Sequence, residues 1–387
     1  MAEYVINKYR ALFVRAKDLY HEEKYKEAVT LLELIIRNDE TCYEGMYYLG
    51  SIYYYGLSGK KDYERAYELL TMAAMNKYIE ASYLVGLCCL NGYGCEVNYT
   101  QAKSWFEMAA KNGHVGAQYY LGLAYYNGFG TNRSLQTALR CFLIAAKSKH
   151  TLAKFMSAKC YEEMGKYVSA ATMYLASAID GNPEGCEIIA DYYLEGKYID
   201  RRPDLAIYFY EKGYQNKNYN CAYKLGLIYK KGEDASLDYK KAFSYFEDAA
   251  SNKIIDAKYE MALALYDGNG VDRDSRLAVK LLKSDDLAKH KKALRTLGNI
   301  YEFPNSPLID EDPVEAKNYW MKAVELGDEF SMYKLGKCYE TGYGVLKINL
   351  KAAYNWYKLS ADAGQEEAKI ALKKFKKSIF GKVRLRK

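Results

Sequence analysis

The chain of 387 residues is half hydrophobic and 27% charged, with 28 glycines and five prolines, which excludes collagen-like and disordered polymers and leaves ample apolar material for a core. Its formal charge of +7 is uneven: residues 369–387 hold nine Lys/Arg and no acid, leaving 47 basic against 49 acidic residues elsewhere. That slightly acidic body excludes a broad nucleic-acid-binding surface as the origin of the basic balance.

The opening Met1-Ala2-Glu3-Tyr4-Val5-Ile6-Asn7-Lys8 has no unbroken apolar core, so no secretory leader is expected there. Residues 8–40, with Lys24-Tyr25-Lys26-Glu27-Ala28, predict a helix hairpin without a long loop. From residue 43 onward one skeleton recurs. Ala81-Ser82-Tyr83-Leu84-Val85-Gly86 answers Ala117-Gln118-Tyr119-Tyr120-Leu121-Gly122, and Asn91-Gly92-Tyr93-Gly94 answers Asn127-Gly128-Phe129-Gly130. The small residue of the Leu-Gly pair marks each unit: Gly50, Gly86, Gly122, Ala158, Ala190, Gly226, Ala262, Gly298 and Gly336, spaced 36, 36, 36, 32, 36, 36, 36 and 38. Ala16 extends the series backwards by 34, so about ten units precede the tail. The charge-free run from Asn112 to Asn132 holds five glycines and a histidine, and the repeat explains it better than a membrane span does. Two places depart from the pattern. The unit after Ala158 lacks the glycine loop, and the Gly298 unit is stretched by Phe303-Pro304-Asn305-Ser306-Pro307, with Asp285-Asp286 replacing the usual alanine pair before it.

Helical spacing gives each position a role. Five residues before the anchor stands a small residue (Ala81, Ala117, Ala153), one before it an aliphatic (Leu49, Val85, Leu225), and three after it, in seven units, a tyrosine (Tyr53, Tyr125, Tyr229). These offsets lie four apart on one face, where a small residue admits a second helix. That second helix carries an alanine sixteen past the anchor, from Ala66 and Ala102 to Ala352. Each unit is thus a helix hairpin whose apolar face needs its neighbours.

The pattern A-x-x-x-L-G-x-x-Y, a G-x-G loop, then K-A-x-x-W/Y-F and A-A stands here as Ala222 to Tyr229 with Lys241-Ala242-Phe243-Ser244-Tyr245-Phe246 and Ala249-Ala250, and again as Gln101-Ala102-Lys103-Ser104-Trp105-Phe106 with Ala109-Ala110. It resembles the Sel-one-like repeat (SLR) family of the tetratricopeptide-repeat superfamily over about residues 43–368. The resemblance implies an all-α chain, an α/α solenoid wound as a right-handed superhelix of about ten hairpins. The expected division is a tetratricopeptide-like hairpin over 1–42, nine repeats over 43–368 with a tetratricopeptide-like unit near 153–186, and a basic capping helix or tail over 369–387. The family's use as a scaffold or adaptor implies a protein or peptide partner, no enzyme activity and no cofactor.

The residues offer little chemistry against that reading. The G-x-G loops follow helices and recur with the repeat, so they are turns rather than phosphate cradles. His21, His114, His150 and His290 fall in different units without metal-ligand spacing. The nine cysteines are odd in number and form no pair of CxxC motifs, which predicts reduced thiols and a cytoplasmic location. In the tail, Leu372, Phe375 and Ile379 at helical spacing among Lys373, Lys374, Lys376 and Lys377 predict a capping helix, with an anionic membrane or nucleic acid as the alternative partner. A regulatory subunit of an enzyme complex is a further alternative. The offsets −6, −3, +1, +4 and +5 of each first helix are expected to line a concave groove. That groove would be aromatic at Tyr47, Tyr54, Tyr83, Tyr119 and Tyr126. It would then turn acidic at Glu162, Glu163, Glu184, Glu187, Asp191 and Glu195 against the single Lys159, and suit a peptide with apolar anchors and Lys/Arg.

Overall fold

The computed structural model describes residues 2–345, 347–377 and 383–385, and the chain falls into two compact units, residues 1–202 and 203–387. In the first, α1 (Ala2–His21) pairs with α2 (Tyr25–Asn38), α3 (Tyr43–Tyr55) with α4 (Tyr63–Met75), and α5 (Ile79–Asn91) with α6 (Tyr99–Lys111). Next come α7 (Val115–Asn127) with α8 (Leu135–Lys147), α9 (Thr151–Glu163) with α10 (Tyr167–Ile179), and α11 (Pro183–Glu195). The second unit begins with α12 (Pro203–Gln215), then α13 (Tyr219–Lys231) with α14 (Tyr239–Ser251) and α15 (Ile255–Asp267) with α16 (Ser275–Leu282). It continues with α17 (Lys291–Glu302) and α18 (Pro313–Glu325), α19 (Glu329–Thr341) and α20 (Leu350–Asp362), and α21 (Glu366–Leu372). Each unit is a stack of helix hairpins, the all-α solenoid architecture that the repeat predicts.

Local chemistry sets the ends of these helices. Second helices start on Asx or Ser caps: Asp62, Asn98 and Ser134 accept from the backbone N–H groups of Arg65, Gln101 and Thr137. Several first helices end on a left-handed glycine such as Gly92 or Gly128, whereas α9 and α17 end on Met164 and Phe303. The second glycine of the G-x-G loop serves a different need. A Cβ on Gly94 would stand 2.0 Å from the Tyr63 carbonyl oxygen, so only glycine lets this loop rest on the second helix of the preceding unit. The residue between the glycines then stacks on that helix's first residue, Tyr93 on Tyr63 at 4.4 Å and Phe129 on Tyr99 at 4.9 Å. Tyr198 stacks on Tyr167 in the same way at 4.2 Å.

Each anchor glycine makes room for a large residue of the second helix. Gly86 faces Phe106, Gly226 faces Phe246, Gly298 faces Trp320 and Gly336 faces Tyr357, each partner fully buried. One register slips: in the last full hairpin the buried alanine is Ala353, not Ala352, because the preceding loop is one residue longer.

The tail departs from expectation. Its helix ends at Leu372, and β1 (Phe375–Lys377) pairs antiparallel with β2 (Val383–Leu385). Phe375 is buried against Tyr354 and Tyr357, so the last hairpin is covered by α21 through Ala368, Ala371 and Leu372 and then by a strand through Phe375, rather than by one helix face running through Leu372, Phe375 and Ile379. Ile379 itself lies outside the described residues. Among the described residues, no helix is long and apolar enough to cross a membrane.

Candidate functional site

In the first unit, α1 touches α3 and α3 touches α5 directly, so first helices converge on one side of the stack. Past α1, which carries charges such as Arg15, Lys17 and Asp18, these helices are nearly uncharged through α7. The acids Glu44 and Glu80 are the charged residues of α3 and α5, and α7 has none. Their hairpin partners carry the charge instead, with Glu64, Arg65 and Glu68 on α4 and Lys103, Glu107 and Lys111 on α6. Tyr55 remains 50% exposed, and burial of its ring with the nearby phenols of Tyr20 and Tyr120 pushes its pKa up. Tyr20 of α1 and Tyr120 of α7 therefore both lie within electrostatic reach of Tyr55 on α3. None of the three is among the tyrosines expected in the groove, although Tyr55 sits at offset +5 and Tyr20 at +4.

The tyrosines expected in the groove are half-buried and brace one hairpin against the next. Tyr83 stacks on His114 at 4.3 Å and Tyr119 on His150 at 4.7 Å. Tyr47 meets Tyr78 at 4.7 Å, and Tyr54 lies among Tyr55, Tyr63 and Tyr93. Burial pushes Tyr83 up to about 12. Offset −3 is thus a second packing face and not simply the side opposite the first. A first helix inside the stack is covered both by its own partner and by the following repeat, which leaves only a narrow arc open.

The acidic stretch divides. Glu162 is committed to the interior, where it accepts from the buried hydroxyls of Tyr174 and Tyr192, both at 2.8 Å. Glu163 accepts from Tyr126 and pairs with Arg133, whose guanidinium also lies over the Tyr126 ring at 5.5 Å. Hydrogen bonding from Tyr126, with the Arg133 charge behind it, holds the Glu163 carboxyl below its usual range. These two acids are correspondingly unsuited to a partner's cations, and Arg133 offsets charge that the sequence reading set against Lys159 alone. Glu184, Glu187, Asp191 and Glu195 share a stripe of α11, with Glu184 and Glu195 exposed and Glu187 and Asp191 half-buried.

Metal or nucleophilic chemistry finds no constellation: among the described residues no group of three or more His, Cys, Asp or Glu could hold a metal ion. Cys88, Cys89, Cys160 and Cys338 are free thiols buried in the core, and burial pushes Cys89 up to about 11 and the other three to about 12. An open cleft of about 920 Å³ lies by the loops at Tyr63 and Gly94, where Lys60, Lys61, Asp62 and Glu96 mix both signs.

The Sel1 repeat is recognised at residues 44–78, 79–114, 115–150, 183–218, 220–253, 255–284, 292–328 and 330–365. The hairpins α1–α2 and α9–α10, joined by short loops, lie outside those matches. The chain is 30% identical over 174 residues to DAP3-binding cell death enhancer 1 of Rattus norvegicus, spanning 35% of this chain and 33% of that protein. It is 28% identical over 162 residues to chitin synthase regulatory factor 2 of Schizosaccharomyces pombe, spanning 40% and 32%. To chitin synthase regulator SKT5 of Saccharomyces cerevisiae it is 30% identical over 141 residues, spanning 35% and 20%. The chain therefore spans about a third or less of these relatives. Among solved structures, a protective antigen of uropathogenic Escherichia coli with an SLR fold matches with a TM-score of 0.73 at 21% identity, over 89% of this chain and 81% of that one. A Sel1 repeat protein from Oxalobacter formigenes matches with a TM-score of 0.54 at 24% identity, over 62% and 99%. At these identities the likeness establishes the shared fold alone.

Proposed function

Since the chain belongs to the Sel1 repeat family, we propose that it is a non-enzymatic scaffold, holding a protein or peptide on the side of its first unit where the first helices converge. The observation that carries this reading is the segregation of charge: α3, α5 and α7 offer phenols and almost no charge, while their hairpin partners keep the ions. Tyrosine gives large contact area at low entropic cost together with a hydroxyl for a partner's backbone. The names of the relatives, a DAP3-binding protein and two regulators of chitin synthase, speak of acting on other proteins and support an adaptor role. The partner would place apolar anchors over Tyr20, Tyr55 and Tyr120, edged by Tyr47, Tyr54, Tyr83, Tyr119 and Tyr126, and Lys/Arg over Glu184, Glu187, Asp191 and Glu195. The core thiols, made inert by burial, suit a reducing, cytoplasmic setting.

The test is the affinity of a purified partner for full-length variants. Tyr55→Ala and Tyr120→Ala should weaken binding about tenfold or more at every salt concentration, as truncated aromatic anchors do. Joint charge reversal at Glu187, Asp191 and Glu195 should weaken it most at low salt. A partner indifferent to both sets would show that this face is not where it binds.

A second reading rests on the tail, where Phe375 is buried while Lys373, Lys374 and Lys376 stay exposed. Those lysines would face an anionic membrane or nucleic acid. Binding of that kind should vanish on deletion of residues 369–387 and fall steeply with added salt. Binding that survives both treatments would rule it out.

A further inference from the structure

Eight residues before each anchor stands the residue that opens a first helix, and in three units it is histidine: His114, His150 and His290. In each the imidazole Nδ1 accepts from a backbone N–H, that of Ala117 at 3.0 Å, Ala153 at 3.2 Å and Ala293 at 3.1 Å. Three other units fill the position with Asn182, Asn218 and Asp328, which cap through side-chain oxygens. A histidine can do the same work only while neutral and protonated on Nε2.

The histidine caps also hold the repeats together. Tyr83 from the preceding repeat lies on His114, and Tyr119 lies on His150. A protonated ring would turn an N–H toward the backbone N–H that it now accepts from, beside the positive end of a helix. Stacking on tyrosine returns some of that loss through cation–π attraction. Among the described residues, Glu80 on α5 is the charged group that acts on His114. His150 has Tyr119 of α7 above it and no charged side chain of α7, α8 or α9 acting on it. His290 differs, because its Nε2 lies 3.1 Å from Asp256.

We propose that His114 and His150 form a proton-sensitive joint in the first unit: protonation uncaps α7 and α9 and frees Tyr83 and Tyr119 from their stacks. Burial lowers the pKa of both imidazoles, so the folded chain favours the neutral rings. Their contribution is whole above the unfolded-chain value of about 6.5 and is lost as pH falls below it. The inference concerns the stacking itself and stands whether or not a partner binds there.

The test uses the full chain, with His114→Asn and His150→Asn as caps that keep an acceptor and do not titrate. Imidazole-nitrogen NMR should find both rings as the Nε2–H tautomer at neutral pH. Hydrogen exchange between about pH 7.5 and 5.5 should show protection at the Ala117 and Ala153 amides falling roughly two- to tenfold in the wild type, about tenfold being the most that one ring with an unfolded value of about 6.5 can contribute over that range. In the double Asn variant that fall should disappear, and a His290→Asn control should leave it intact. Rings protonated on Nδ1 at neutral pH would overturn the proposal. So would a wild type and double variant that lose protection equally.

Discussion

Gly122 lies so close to Phe142 that a Cβ built on the glycine would stand 2.5 Å from one ring carbon and 2.6 Å from the next. Phe142 is fully buried and has nowhere to retreat. Gly122→Leu should therefore cost about 1–3 kcal/mol or more, as overpacking does. Gly122→Ala should also destabilise, although alanine recovers about 1 kcal/mol of helix propensity. The chain contains a compatible pair in Ala262 with Leu282, so Phe142→Leu should restore part of the stability lost in Gly122→Ala. Urea unfolding of the two singles and the double checks this, and a double no more stable than Gly122→Ala would show that the contact is not what the glycine serves.

Glu162 joins Tyr174 and Tyr192 inside the first unit. Glu162→Ala leaves two buried hydroxyls without an acceptor and should cost about 1–3 kcal/mol, with Glu162→Gln closer to wild type because it keeps an acceptor oxygen. Equilibrium unfolding ranks the three.

Burial, with the Glu162 hydrogen bonds second, pushes Tyr174 and Tyr192 above the ordinary phenol range, and burial does the same to Tyr47 and Tyr54. A pKa raised in the folded state means stability that is whole below the unfolded value of about 10 and lost as pH climbs past it. Melting temperature should therefore decline steeply above about pH 10, in step with phenolate absorbance. A phenolate signal that appears well before unfolding would place these rings in water.

The junction between α16 and α17 is the thin place in the second unit. Helix α16 has eight residues where α14 has 13, and Asp285-Asp286-Leu287 forms a single 3-10 turn in place of its last turns. Leu287 is fully buried, and Lys258 donates to Asp286 at 2.5 Å, so one side chain and one ion pair replace a helical face. Hydrogen exchange should find residues 282–291 the least protected junction of that unit, and Leu287→Ala should cost about 2–4 kcal/mol. Strong protection there would mean that the short turn packs as well as a helix.

Gly94 and Gly113 both have positive φ, 72° and 86°, but only Gly94 abuts a neighbour's backbone. Gly94→Ala should destabilise by more than Gly113→Asn, whose side chain would meet open space and which tolerates the left-handed region. Thermal melts of the two variants decide this.

The helices, their hairpin pairing and the glycine anchors were legible in the sequence because each follows from local periodicity. A small residue recurring every 36 positions beside Leu and Tyr marks a packed face wherever the hairpins end up. The loops were legible for the same reason, since glycine at a helix end answers a need of the backbone alone. Tertiary structure decided what faces what. Whether Tyr83 meets a ligand or His114, whether Glu162 faces solvent or two phenols, and which strand Phe375 joins depend on how one hairpin sits on another. Those partners lie 10 to 31 residues away, and a helical wheel records only the direction in which a side chain leaves its own axis.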